Sequence, residues 1–295
     1  MTLRTLYERA LVHIIKILPF KRWPKTRLGD YFSALHDFTI AHDRLPSRRR
    51  TFNDPLFRLT TSDECLNPLR VFVTDKEYLK LFVRAKVGEK FNIPTLAILR
   101  SELDVREFSY PKRCVIKPTH LSGQVILRRA GEKLNVGRIV GWLDTNWYLR
   151  PGGWEANYRY LAPKVIIEPF VFDDDSAWDY KVFCMKGNPK MIEVDVGRHT
   201  SDQRRAFYTP SWDHLPFSAT FPMLQRKLKR PRNLDQMLNI CRRISDDFSF
   251  IRVDLYSNGE QVYIGELTNC PAGALAKFEP RNAEDAAGRI VFGGE

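Results

Sequence analysis

The run Phe250 to Tyr256 places Arg252 and Asp254 two residues apart, so in a strand both leave one face while Ile251, Val253 and Leu255 leave the other. Glu266 follows twelve residues after Asp254, in a second apolar run from Gln261 to Leu267. Two carboxylates on neighbouring strands are a normal way to hold Mg²⁺, which takes oxygen ligands and shares its sphere with nucleotide phosphates. The same pair also reads as solvent-side groups or as ion-pair partners of Arg252. Parity sets a condition: a two-residue turn on Asn258-Gly259 puts Asp254 and Glu266 on opposite faces, and only an odd loop or a bulge reunites them.

Lys117 ends the apolar run Cys114-Val115-Ile116 and precedes Pro118, which delivers a cation at a strand end. Thr119-His120-Leu121-Ser122-Gly123 follows, a small polar loop whose backbone N–H groups, including those of Ser122 and Gly123, can meet phosphate oxygens. A lysine snorkelling to solvent fits the same pattern. Glu168, Pro169, Phe170 and Val171 leave another apolar strand, Lys164 to Val171, where backbone groups and apolar side chains can grip a flat heterocycle. Asp179 and Lys181 share one strand face, giving either a second phosphate-reaching lysine or a surface ion pair.

These residues need elements to position them. Asp75 caps a helix in which Leu79, Phe82, Val83 and Val87 keep to one face and Gly88 falls near the end. Strands are expected at Thr95 to Leu99, Arg113 to Lys117 and Gln124 to Arg128, with a helix from Val136 to about Leu149. Trp178 to Met185 and Lys190 to Val196 form a hairpin through Gly187-Asn188-Pro189, and a helix spans Asn233 to Asp247. The coarse reading is an α+β chain of two lobes: a first lobe at 71–170, a second at 171–295, and a basic, proline-punctuated accessory segment at 1–70.

With 43% hydrophobic residues the chain of 295 can bury a substantial core, and its net charge of +12 favours anionic partners without choosing among them. Five widely spaced cysteines without a CxxC pair suggest neither a disulfide framework nor a zinc site, and point to the cytoplasm. The stretch Ala10 to Phe20 is about half a membrane span and holds His13, Lys16 and Pro19. An amphipathic helix from Leu3 to Leu18 remains, beside Lys21, Arg22 and Lys25; it packs on its own domain, or it touches a partner or the inner membrane surface.

Taken in order, Asp75-Lys76, Val115-Ile116-Lys117-Pro118, Ile167-Glu168-Pro169-Phe170, Asp179-Tyr180-Lys181-Val182-Phe183, Arg252-Val253-Asp254-Leu255 and Gly265-Glu266-Leu267-Thr268 resemble the ATP-grasp superfamily, most closely its TupA-like branch, named for teichuronopeptide biosynthesis. The resemblance runs from about residue 70 to 280. It implies an ATP-grasp fold, with antiparallel sheets of two α+β lobes enclosing ATP. Lys76 and Lys117 would lie near the phosphates, Pro169 and Val171 would read the adenine edge, Lys181 and Arg252 would contact the triphosphate, and Asp254 with Glu266 would bind Mg²⁺. Thr268 stands where many of the superfamily have Asn, with Asn269 one step further, so both are candidates for a further metal ligand.

The implied chemistry is an amidoligase reaction: a carboxylate is activated as an acyl phosphate, and an amine displaces the phosphate. Arg198 and Arg205 are candidates for holding the carboxylate or the tetrahedral oxyanion, because guanidinium matches carboxylate in a bidentate way; a plain surface place is the alternative. A small molecule or a carbohydrate of the cell surface is the expected substrate. Rival readings are a sugar kinase using the same ATP site, a glycosyltransferase holding a metal on Asp173-Asp174-Asp175, and a non-catalytic basic binder; specific nucleic-acid binding is not expected.

Overall fold

The computed structural model describes residues 3–18, 24–49, 51–150, 154–172, 178–197 and 200–293. Five helices come first: α1 (Leu3–Ile17), α2 (Arg27–His42), α3 (Asn53–Thr61), α4 (Pro68–Thr74) and α5 (Lys76–Lys86). A first sheet follows, made of β1 (Ala97–Leu99), β2 (Cys114–Pro118), β3 (Ile126–Arg128) and β4 (Val165–Glu168), with α6 (Glu102–Glu107) and α7 (Val136–Leu143) in its connections. Its strands run antiparallel in the order β1-β4-β2-β3. Leu99, Ile116, Val165 and Ile167 point to a core shared with Val105 of α6 and with Ile139 and Trp142 of α7. By strand alternation Lys117 and Glu168 leave the opposite face.

The second sheet has six antiparallel strands: β5 (Trp178–Met185), β6 (Asn188–Val196), β7 (Arg204–Tyr208), β8 (His214–Leu215), β10 (Phe250–Ser257) and β11 (Val262–Thr268), in the order β11-β10-β5-β6-β7-β8. Between β8 and β10 lie β9 (Ser218–Ala219) and α8 (Leu234–Ser245); β12 (Phe278–Glu279), which pairs with β9, and α9 (Ala283–Phe292) close the chain. One face carries Tyr180, Val182, Ile192, Val194, Ile251 and Val253 into a core with α8. The other face is divided. Its aromatic part, Phe183, Phe207 and Phe250, packs against α2, α3 and α9. Its remaining part is charged and forms the site described below.

Asp75 caps α5 by accepting from the backbone N–H groups of Glu77 and Tyr78. The helix buries Leu79, Phe82 and Val83 in the core of the six-stranded sheet, although a division at 71–170 puts it with the first sheet. α7 stops at Leu143, because the next residues turn back to bury Tyr148, whose hydroxyl donates to Asp30 at 2.8 Å. The turn between β5 and β6 is Lys186-Gly187, both at positive φ (45° and 75°), so Asn188 and Pro189 already belong to β6. The segment at 1–70 is part of the main fold: Asn53 donates to Ala276 O at 2.9 Å and Arg70 donates to Phe250 O at 2.9 Å.

The β10–β11 hairpin meets the parity condition with a bulge. Its loop has four residues, Asn258 to Gln261, between the paired Ser257 and Val262, and this even count leaves Asp254 and Glu266 out of phase. Leu255 pairs with Ile264 but Asp254 pairs with Glu266, so Gly265 is the extra residue that brings the two carboxylates opposite each other. A Cβ at Gly265 would meet Tyr256 Cε2 at 2.6 Å. Gly265→Ala is therefore expected to lower stability by about 1–3 kcal/mol in chemical denaturation, and Tyr256→Ala in the same chain to recover part of the loss. A single variant as stable as the parent would remove this contact as the reason for glycine.

Candidate active site

The charged part of the six-stranded sheet is laid out by register. One row runs Glu266, Asp254, Lys181, Glu193, and the next runs Tyr256, Asp179, Asp195, Arg205. Arg252 and Thr268 form the adjoining row. Five carboxylates (Asp179, Glu193, Asp195, Asp254, Glu266) thus face three cations (Lys181, Arg205, Arg252). Arg252 grips Asp254 with two bonds of 2.6 Å and donates to Thr268 Oγ1 at 3.0 Å. Lys181 Nζ stands 2.7 Å from both Asp179 and Asp195. Arg205 bonds Asp195 at 2.7 and 3.1 Å and Ala219 O at 3.0 Å, and stands 2.8 Å from Glu193 as an ion pair without hydrogen-bond geometry.

Burial governs the titration of this face. It pushes the Asp254 carboxyl up to about 6, against the pull of Arg252 and Lys181, and it raises Glu193 as well. Asp195 is also buried, but Lys181 and Arg205 outweigh that cost and hold it below the ordinary aspartate range. Asp254 and Glu266 stand directly opposite each other in register at one end of this face. Two adjacent carboxylates fit Mg²⁺, which keeps most of its sphere for phosphate oxygens and water. Among the described residues no group of three or more His, Cys, Asp or Glu forms a ready cage.

Cations approach these carboxylates from β2 of the first sheet and from α5. Lys117 Nζ lies 2.5 Å from Glu168 and Lys80 Nζ 2.6 Å from the other oxygen of the same carboxylate. Lys76, the first residue of α5, donates to Leu121 O at 2.8 Å and stands 4.0 Å from Glu266. Burial lowers the Lys76 pKa, with Glu266 opposing. A buried ammonium so lightly matched is suited to a phosphate.

The other expected residues are dispersed around this centre. Gly123 adopts φ +70° with open space beside it, and the Ser122 side chain bonds Tyr158. Pro169 and Val171 follow β4, and the Phe170 ring carries the guanidinium groups of Arg113 and Arg129 at 5.1 and 5.3 Å. Asn269 is not brought to the charged face. Glu266 and Thr268 share that face by alternation, whereas Asn269 turns away to accept from Arg70 at 2.9 Å and donate to Thr74 at 3.1 Å, which corrects its expected place among the metal ligands. Arg205 reaches the site, but its donors are taken by protein oxygens. Arg198 and the triplet Asp173-Asp174-Asp175 lie outside the described residues.

Three residues of the centre were absent from the sequence expectation. Lys80 stands four residues after Lys76, on the same helix face, and Glu193-Val194-Asp195 repeats the charged-apolar alternation seen at Asp179 and Lys181. Both signals are local and readable.

A family model described as TupA-like ATPgrasp matches residues 60–291. A search of curated proteins finds no match. Among solved structures, the chain is similar to D-alanine-D-alanine ligase from Helicobacter pylori (16% identity, 70% of this chain and 57% of that one, TM-score 0.40). It is similar also to L-amino acid ligase from Bacillus licheniformis (13% identity, 92% and 57%, TM-score 0.43). A third is the ATP-grasp ligase PsnB complexed with minimal precursor, Mg and ADP (13% identity, 73% and 58%, TM-score 0.40). The chain spans somewhat more than half the length of these enzymes, 57–58%.

Glu168 offers a test of how the lysines are held. Burial opposes its ionisation, but Lys117 and Lys80 outweigh burial and hold its pKa below the ordinary glutamate value. A depressed carboxylate contributes stability that is full above its unfolded pKa of about 4.3 and is lost as pH falls through the folded value. Glu168→Gln is expected to cost about 3 kcal/mol at neutral pH, because it strips two half-buried lysines of their buried counter-ion. In urea titrations at a series of pH values, the gap from wild type should narrow below about pH 4; a gap that stays constant would refute the ion-pair account.

Proposed function

This chain belongs to the TupA-like ATP-grasp family, and from that premise we propose that it is an ATP-dependent carboxylate-amine ligase. The observation that carries the reading is the approach of Lys76, at the start of α5, to Glu266 of β11, 4.0 Å apart, with Lys117 of the first sheet close enough to interact electrostatically with both. Lys76, Lys117, Lys181 and Arg252 would bind and orient the triphosphate, with Asp254 fixing the plane of the Arg252 guanidinium. Asp254 and Glu266 would hold Mg²⁺, which when bound neutralises charge on the phosphates. Phe170 and the backbone of Pro169 and Val171 would hold the adenine.

A substrate carboxylate takes the γ-phosphoryl group and becomes an acyl phosphate; the amine then attacks the acyl carbon, phosphate leaves and the amine gives up its proton. Cations fixed before binding stabilise the charge that spreads over the transferred group. Arg205, engaged by Asp195, Glu193 and Ala219 O, would act at a distance by fixing Asp195 beside Lys181, and Arg198 would hold the incoming carboxylate. The proposed acceptor is a carbohydrate of the cell surface or its precursor. Dependence on ATP and five free, buried cysteines support a cytoplasmic setting.

Purified protein given ATP, Mg²⁺ and a carboxylate with hydroxylamine in place of the amine should release ADP and yield a hydroxamate. A stable phosphate ester with no hydroxamate would replace the ligase by a kinase. Asp254→Asn and Glu266→Gln should each reduce Mg²⁺-dependent ATP turnover by roughly 100-fold or more. The two should differ in stability. Asp254→Asn leaves Arg252 buried without its partner and is expected to lower the thermal midpoint, whereas Glu266→Gln should leave it near wild type. Turnover at the parental rate in either variant would end the metal assignment.

A further inference from the structure

The helix α1 is fixed with its apolar side outward. Ile15 is buried and Leu11 and Val12 are half-buried toward the protein, while Lys16 pairs with Asp43 at the end of α2. The opposite arc holds Leu6, Tyr7, Ala10, Ile14, Ile17 and Leu18, which recur at spacings of three and four residues and therefore form one stripe. Tyr7 is 69% exposed, Ile17 67%, and Leu6 and Ile14 47% each. Single exposed hydrophobes are ordinary on a protein surface, but a continuous stripe on one helix is not.

The edge of this stripe is basic. Arg9 and His13 follow it along α1, and with Val12 and Lys16 they also line a groove of about 1640 Å³ on the other side of the helix, where Arg48, Arg49 and Lys277 stand. Two of the acidic groups in that groove, Asp43 and Glu284, are already matched by Lys16 and Arg44. No described helix is long and apolar enough to cross a membrane. An apolar stripe bordered by cations is the pattern of a helix that lies in the plane of a bilayer, its apolar side at the acyl boundary and its cations among the headgroup phosphates.

We infer that α1 docks this protein on an anionic lipid surface, with Tyr7, Ile14 and Ile17 entering the bilayer and Arg9, which borders the stripe on α1, reaching phosphate headgroups. Charge complementarity favours lipid over a second copy of the chain, since two such basic edges would repel. The inference is independent of the reaction proposed above.

Flotation of the full chain with vesicles of phosphatidylcholine carrying phosphatidylglycerol as minor component, against phosphatidylcholine alone, tests it. Wild type is expected to float with the anionic vesicles. Tyr7→Ser/Ile14→Ser/Ile17→Ser should bind at least about tenfold more weakly with an unchanged thermal midpoint, because all three side chains are exposed. Arg9→Glu, at an exposed position of α1 beside the stripe, should lose about fivefold or more on the anionic vesicles and little on the neutral ones. The inference is overturned if wild type does not float, if the triple variant floats equally well, or if wild type is a dimer in solution that the triple variant disperses.

Discussion

A carboxylate buried on a sheet face must be answered by a cation, and the site is built on that requirement. Glu168 joins Lys117 of the first sheet to Lys80 of α5, Asp254 fixes Arg252, and Asp195 fixes both Lys181 and Arg205. Each cation is aimed by a carboxylate that would be costly to bury alone. The pairing leaves Glu266 of the larger sheet and the lightly matched ammonium of Lys76 facing each other at 4.0 Å, too far apart for a direct bond. That separation of unanswered charge across a gap is what a metal-bound phosphate chain would fill.

Much of this was legible because strand alternation is a strict period of two. Arg252 with Asp254, and Asp179 with Lys181, share a face wherever the strand is drawn, and Asp75 was readable as a cap before its helix was seen. The alignment of Asp254 with Glu266 was legible only as a condition. What meets it is Gly265, whose need for glycine comes from the Tyr256 ring on the neighbouring strand, a contact that no local pattern encodes. Asn269 failed as a ligand for the same geometric reason that Glu266 and Thr268 succeed in sharing a face. Arg205 looked available in sequence because the carboxylates that occupy it, Glu193 and Asp195, come from another strand.

The segment at 1–70 read as weakly periodic, yet α2 and α3 are ordinary helices packed on the aromatic part of the larger sheet. Their pattern is diluted because they bury polar groups: Asp30 accepts from Tyr148, Asp54 takes Arg44, His42 meets Ala274 O, and Asn53 exchanges bonds with the backbone of Ala276. A polar residue with a distant partner is indistinguishable in sequence from a solvent-facing one.

Those same contacts constrain the order in which the fold can close. His42 and Ala274 are 232 residues apart in the chain, and Asn53 and Ala276 are 223 apart. On a ribosome the apolar sides of α2 and α3 therefore emerge early and stay without their C-terminal cover until residues 274–291 have been delivered, by which time both sheets have been made. Closure of the first segment against the last is thus a late, long-range event. A transcript stopped short of α9 would leave a nascent chain with its sheets complete and its aromatic seam unsealed, a natural substrate for quality control.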